Sequence, residues 1–177
     1  MFSVNTLMCA HCARHDTVRA SGLFRTMTEA SVQTAANTWL PLIQEFARRG
    51  SADQIEGLFK LQRKHGGQVQ EAEYALLVQA FAHALKRSRD HQQQQTLLEG
   101  ANRVLTTMQA ANMPRTDAYG YLIKALSVSG QAERAEALIS ELIEHGLEPT
   151  ADMFNSLIYH CAHTKDMLRW VVSEWGL

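Results

Sequence analysis

Residues 116–150 read TDAYGYLIKALSVSGQAERAEALISELIEHGLEPT, and residues 151–167 restart the same pattern as ADMFNSLIYHCAHTKDM. Tyr119, Leu122, Ile123 and Leu126 stand at i, i+3, i+4 and i+7, the spacing of one helical face. Gly130 then stops that helix, because glycine accepts the left-handed backbone of a C-terminal cap. Ala135, Leu138, Ile139 and Leu142 repeat the spacing in a second helix, which closes at Gly146 with Pro149 three residues on. The stretch is a helical hairpin with a period of 35 residues.

The same plan runs outward in both directions. Residues 36–70, ANTWLPLIQEFARRGSADQIEGLFKLQRKHGGQVQ, place Gly50 between two helical patterns and Gly66 and Gly67 at the end. Residues 1–35 carry SVNTLMCAHCARHDTVRASGLFRTM in the same register. Residues 71–115 join it through EAEYALLVQAFAHAL and ANRVLTTMQAANMP, with an insertion of about ten residues near 83–100. The last unit, 151–177, is truncated: it ends in WVVSEWGL where a second helix should still run, and Trp170 and Trp175 are expected to close that end. Leucine holds the seventh place of all five units, as Leu7, Leu42, Leu77, Leu122 and Leu157. The eighth is always large and apolar: Met8, Ile43, Val78, Ile123 and Ile158.

A single hairpin of this size cannot bury its apolar face, so neighbours must stack. The pattern therefore predicts an all-α fold, an α-solenoid of about five stacked helical hairpins filling 1–177 as one repeat domain.

Composition agrees. The chain has 177 residues, 46% hydrophobic and 20% charged, enough to bury a core, and its three Pro, ten Gly and 7% aromatic residues favour helices over strands. Seventeen Lys and Arg against eighteen Asp and Glu give a net charge of -1 with eight His neutral, which excludes a wholly basic surface and confines any nucleic-acid contact to a local patch. Cys9, Cys12 and Cys161 make no even disulfide framework and suit a reducing compartment. No run approaches the roughly 20 apolar residues of a membrane helix, so no membrane partner is expected.

The 35-residue period, Asn155-Ser156-Leu157-Ile158, Asn5-Thr6-Leu7-Met8, Gly130, Ala135 and the Gly-Leu-Glu-Pro at 146–149 resemble the pentatricopeptide repeat family. Tetratricopeptide repeats are the nearest rival, but they have a 34-residue period and a small residue at the eighth place. The resemblance implies an organellar protein, usually mitochondrial or plastid, that binds single-stranded RNA along its concave face with about one base per repeat. It also implies that the fifth and last places of each unit select the base. Here those pairs are Asn5 with Ala35, Leu40 with Gln70, Ala75 with Arg115 and Gly120 with Thr150, while Asn155 lacks a partner; none is a standard pair.

Helical geometry supplies a second test. Places two, five, nine and twelve of each first helix form the stripe that would line the concave face, and Lys124 is its one basic residue, opposed by Asp117 and Asp152. Phosphate contacts supply most non-specific affinity, so base-by-base reading is not expected, although Asn5, Lys124 and Asn155 stay candidate RNA contacts. The insertion gathers Lys86, Arg87 and Arg89 beside a glutamine run and is read as a basic loop projecting from the solenoid, able to grip phosphates or an acidic partner.

Cys9 and Cys12 form a C-x-x-C near His11 and His15, a spacing seen in zinc and thiol-exchange sites. These residues point in several directions along one helix, so they are read as lining, without metal; His160, Cys161 and His163 repeat that composition through the repeat itself. There is no Gly-rich phosphate loop, H-E-x-x-H, nucleophile elbow or readable carboxylate pair, so no catalytic residue, cofactor or small-molecule substrate is expected. Arg14, Arg19 and Arg25 among Ser and Thr resemble a mitochondrial presequence, yet Ala20, Leu23, Phe24 and Met27 hold the repeat register. They are read as repeat, which leaves no separate targeting segment here: either that segment is absent from this chain, or these residues are part of a longer protein.

The function expected is a non-catalytic subunit of a mitochondrial ribonucleoprotein, such as a mitochondrial ribosome or RNA-processing complex, docking on RNA and neighbouring proteins. The alternatives are a sequence-selective single-stranded RNA factor of a mitochondrion or plastid, and a purely protein-binding adaptor.

Overall fold

The computed structural model describes residues 4–14, 16–29, 36–64, 66–113 and 115–163. Among them run α1 (Val4–Ala13), α2 (Thr17–Glu29), α3 (Ala36–Arg49), α4 (Ala52–Lys64), α5 (Glu71–Arg87), α6 (His91–Ala110), α7 (Thr116–Val128), α8 (Ala132–Glu144) and α9 (Ala151–His163), with no strand. The first helices of the hairpins, α1, α3, α5, α7 and α9, lie side by side, each against the next. The second helices, α2, α4, α6 and α8, pack on first helices, and their backbones do not meet one another. Close spacing on one side and open spacing on the other curve the stack with the first helices inside. This is an α-solenoid of stacked helical hairpins.

The recurring apolar column explains the stack. Leu42, Leu77, Leu122 and Leu157 are buried, and Ile43, Val78 and Ile123 are fully so. Each such side chain contributes roughly 1.5–3 kcal/mol relative to exposure. Leu7 on α1 and Ile158 on α9 are exposed by contrast, at 45% and 51%, because no described hairpin covers those outer faces. The side chain of Met8, and Trp170 and Trp175 altogether, lie outside the described residues.

Gly50, Gly66, Gly130 and Gly146 all take positive φ, as their cap roles require. The residue after the cap then returns its N–H to a carbonyl of the last turn: Ser51 to Phe46 at 3.0 Å, Gln131 to Leu126 at 3.0 Å, Leu147 to Leu142 at 3.1 Å. Asn112, at φ +53°, does the same after α6, with Met113 N–H donating to Met108 O at 2.8 Å. A search for glycine passes over it.

The insertion is not a projecting loop. Its residues lengthen two helices, α5 to 17 residues and α6 to 20, against 13 each for α7 and α8. The segment 83–87 and the glutamines after His91 are free of Gly and Pro, so propensity carries both helices to a three-residue connector, 88–90. Asp90 caps α6 by accepting from the N–H groups of Gln92 and Gln93. Lys86 and Arg87 accordingly sit in the last turn of α5, and only Arg89 is in the connector.

Arg87 is a clamp between hairpins. Its guanidinium donates to the carbonyls of Arg49 at 2.6 Å and Arg48 at 3.5 Å, at the end of α3 where carbonyls lack helical partners and the dipole is negative. Arg87→Ala is expected to lower the unfolding free energy by about 1 kcal/mol, read as a lower urea midpoint at unchanged helical content. An unchanged midpoint would show the clamp to be energetically idle.

Candidate nucleic-acid interface

The inner face opens between α7 and α9 into a cavity of about 440 Å³. Thr116, Asp117, Gly120, Tyr121 and Lys124 form one wall, and Thr150, Asp152, Met153 and Ser156 the other. Gly120 allows this close approach, since a Cβ there would lie 3.1 Å from Met153 Cε. The mouth is thus ringed by hydroxyls, two carboxylates and one ammonium over a methionine floor, an arrangement suited to a flat polar ligand.

Lys124 does not act alone. Lys86, reaching the same neighbourhood from the lengthened α5, has its pKa lowered by desolvation and then by repulsion from Lys124. Neither ammonium has a carboxylate ion-pair partner among the described residues. Two unneutralised cations from adjacent hairpins therefore stand together, which is the charge pattern that attracts an anion.

Asp117 opposes Lys124 less than its place in the stripe suggests. Arg115 donates to both its oxygens at 2.9 Å and lies 3.7 Å from Glu71. The guanidinium pKa is raised, chiefly by the hydrogen bond to Asp117. Arg115, the last residue before α7, thus balances the aspartate that begins that helix.

The structure moves the stripe. Ala47, Ala82 and Ser127, at the twelfth place, are buried between first helices, and Ala75, at a fifth place, is also buried. The C-terminal ends of α3 and α5 lie close together: a Cβ on Gly50 would be 2.9 Å from Ala84 N, and His83 Nδ1 lies 3.0 Å from Ala47 O. Helix packing occupies that end. The lining of this cavity instead uses places one, two, three, five, six and nine and the last place of the unit, which brings in Tyr121 and Ser156. Sequence reasoning missed both; the signal was their position beside the fifth place on the helical wheel.

Of the six residues singled out from the sequence, Lys124 lines the inner cavity and Lys86 is near enough to it for the two ammoniums to repel. Asn155 is exposed on α9, Arg89 is exposed in the connector, and Arg87 clamps α3. Asn5 is on α1, with its side chain outside the described residues. Cys12 is buried, and no group of three or more His, Cys, Asp or Glu among the described residues could hold a metal. The side chains of Cys9, His160, Cys161 and His163, and all of His15, are outside the described residues. No helix among the described residues is long and apolar enough to cross a membrane.

An array of stacked helical hairpins with an open, polar inner face defines the class: a helical-repeat protein. Sequence comparison narrows it. The profile for the pentatricopeptide repeat domain matches residues 103–164, and the profile for the single PPR repeat matches residues 2–32. A chloroplastic pentatricopeptide repeat-containing protein of Arabidopsis thaliana is 38% identical over 55 residues, covering 31% of this chain and 11% of that protein. Among solved structures, the pentatricopeptide repeat protein PPR10 in complex with an 18-nt psaJ RNA element aligns over 97% of this chain and 40% of its own, at 14% identity and a TM-score of 0.44. PPR10 from maize alone aligns over 96% and 38%, at 14% identity and a TM-score of 0.40. The matched segment thus spans about a ninth of the curated relative's length. It belongs to the pentatricopeptide repeat family.

Proposed function

We propose that this chain is an organellar RNA-binding repeat protein, with units 1–35, 36–70, 71–115, 116–150 and 151–177 each presenting one helix to the RNA. Family membership supports the ligand class, and the observation that carries the site is Lys124 on the wall of the cavity between α7 and α9, with Lys86 of α5 near enough to repel it. The array acts without catalysis. It holds a single strand by its phosphates, while Asn155, Thr150 and the Gly120 opening face the bases.

The finer reading is a subunit of an organellar ribonucleoprotein, in a mitochondrial ribosome or RNA-processing complex, that contacts both RNA and protein neighbours. The absence of standard base-selecting pairs supports it over a sequence-selective factor. A plastid setting has its own support in the chloroplastic relative.

Two measurements test this. Tagged native protein from organelle extract should sediment in a large, ribonuclease-sensitive particle; migration as a free small protein would reject the subunit reading. Recombinant protein should bind a random single-stranded RNA pool with steep salt dependence and little base preference. Tight binding of one sequence over all others would restore the sequence-selective factor.

A further inference from the structure

The outer side of the solenoid repeats one feature, a gap between successive second helices. Between α6 and α8 that gap, about 210 Å³, is bridged by the molecule itself. Arg134 donates to Gln95 at 2.9 Å, and Gln109 donates to Glu141 at 2.9 Å and to the Tyr119 hydroxyl at 2.6 Å. Between α4 and α6 a gap of about 230 Å³ has no such closure: among the described residues no hydrogen bond or ion pair joins the two helices. Its floor is apolar, made by the buried Phe59, Leu77 and Val104. Its rim carries Lys60, Arg63 and Arg103 against one carboxylate, Glu56. Arg63 donates to the Tyr74 hydroxyl at 2.8 Å, which holds that cation over the floor and leaves the gap open.

Both walls present i, i+3, i+4, i+7 faces: Glu56, Phe59, Lys60 and Arg63 on α4; Gly100, Arg103, Val104 and Thr107 on α6. Two parallel ridges over an apolar floor match the grooves between rows of side chains on another helix. We propose that this outer groove binds an amphipathic helix of a partner protein, inserting an apolar side chain between Phe59 and Val104 and meeting Lys60, Arg63 and Arg103 with flanking carboxylates. A nucleic-acid strand would use the cations, but Phe59 is buried and offers no open ring face on which a base could stack. Charge also selects the position: α8, with Glu133, Glu136, Glu141 and Glu144, repels such a helix from the next gap.

This surface lies opposite the face assigned to RNA, so the two can be tested apart. Two fluorescent helical peptides share the same leucine positions, one flanked by glutamates and the other by lysines, and are titrated with the full chain. The wild type should bind the glutamate peptide and not the lysine peptide. The double variant Lys60→Glu with Arg103→Glu, at exposed positions that leave the core intact, should weaken the glutamate peptide by about tenfold or more and gain the lysine peptide. Thr107→Trp, which fills the groove from an exposed position, should lose the glutamate peptide and not gain the lysine peptide. Lys86→Glu with Lys124→Glu should leave peptide binding unchanged. Equal binding of both peptides, no binding of the glutamate peptide, or indifference to the charge reversal overturns the proposal. So does displacement of the glutamate peptide by single-stranded RNA through Lys60 and Arg103.

Discussion

Gly50→Ala is expected to lower the unfolding free energy by about 3 kcal/mol, far more than the same change at Gly146. Both glycines end a helix at nearly the same backbone angle, φ +71° and +72°, so each alanine meets the left-handed penalty of about 1–2 kcal/mol. They differ in surroundings. A Cβ at Gly50 would lie 2.9 Å from Ala84 N and 3.3 Å from both Ala84 Cα and His83 C, all backbone of α5, whereas nothing lies within 4 Å of one at Gly146. Backbone inside a packed helix cannot swing aside as a flexible side chain could, so α3 must shift relative to α5.

That shift would reach beyond the turn. His83 contacts the Ala47 carbonyl and Arg87 grips the carbonyls of Arg48 and Arg49, so the same junction carries the polar links between these two hairpins. In a quasi-one-dimensional stack, weakening one interface uncouples the hairpins on either side. Urea unfolding of Gly50→Ala should therefore show a lower midpoint and a shallower slope, while Gly146→Ala shows a midpoint shift of about 1 kcal/mol at unchanged slope. Equal losses at both positions would mean that the close approach of α3 and α5 is not energetically real.

The helices were legible because the repeat displays its own register. Leu122 and Ile123 are in the core for the same reason as Leu42 and Ile43, and Gly130 and Gly50 end helices by the same backbone geometry. What periodicity does not carry is how far an irregular unit bends the rule. Residues 83–100 look like a loop because they break the period, yet they are sound helix formers with a capping aspartate, and they extend α5 and α6. A helical wheel treats every turn of the first helix alike. Packing does not: it closes over Ala47, Ala82 and Ser127 at one end and leaves Tyr121 and Ser156 on the open wall at the other. Arg115 makes no standard base-selecting pair with Ala75, but two residues away it finds Asp117, and that contact resets the charge of the face.

Lengthening α5 has its largest consequence at Lys86, which it brings beside Lys124. Lys86→Glu with Lys124→Glu is expected to weaken single-stranded RNA binding by at least about tenfold, with nearly the same factor for every sequence, because phosphate contacts position a strand without reading it. Losing two phosphate contacts should also flatten the plot of log affinity against log salt by about 1.4, at 0.7 per contact for a single strand. A loss confined to certain sequences would place the lysines against bases instead.

The sign of the pH effect follows from the lysine itself. Desolvation, aided by Lys124, lowers the Lys86 pKa, so Lys86 gives up its proton at a lower pH than an ordinary lysine. RNA affinity should therefore begin to fall, as pH rises, before the usual lysine range is reached. Lys86→Arg should restore affinity through that interval, because a guanidinium stays charged there. If the wild type and Lys86→Arg instead lose affinity together, the titrating group lies elsewhere and the paired-lysine account of the inner face is wrong.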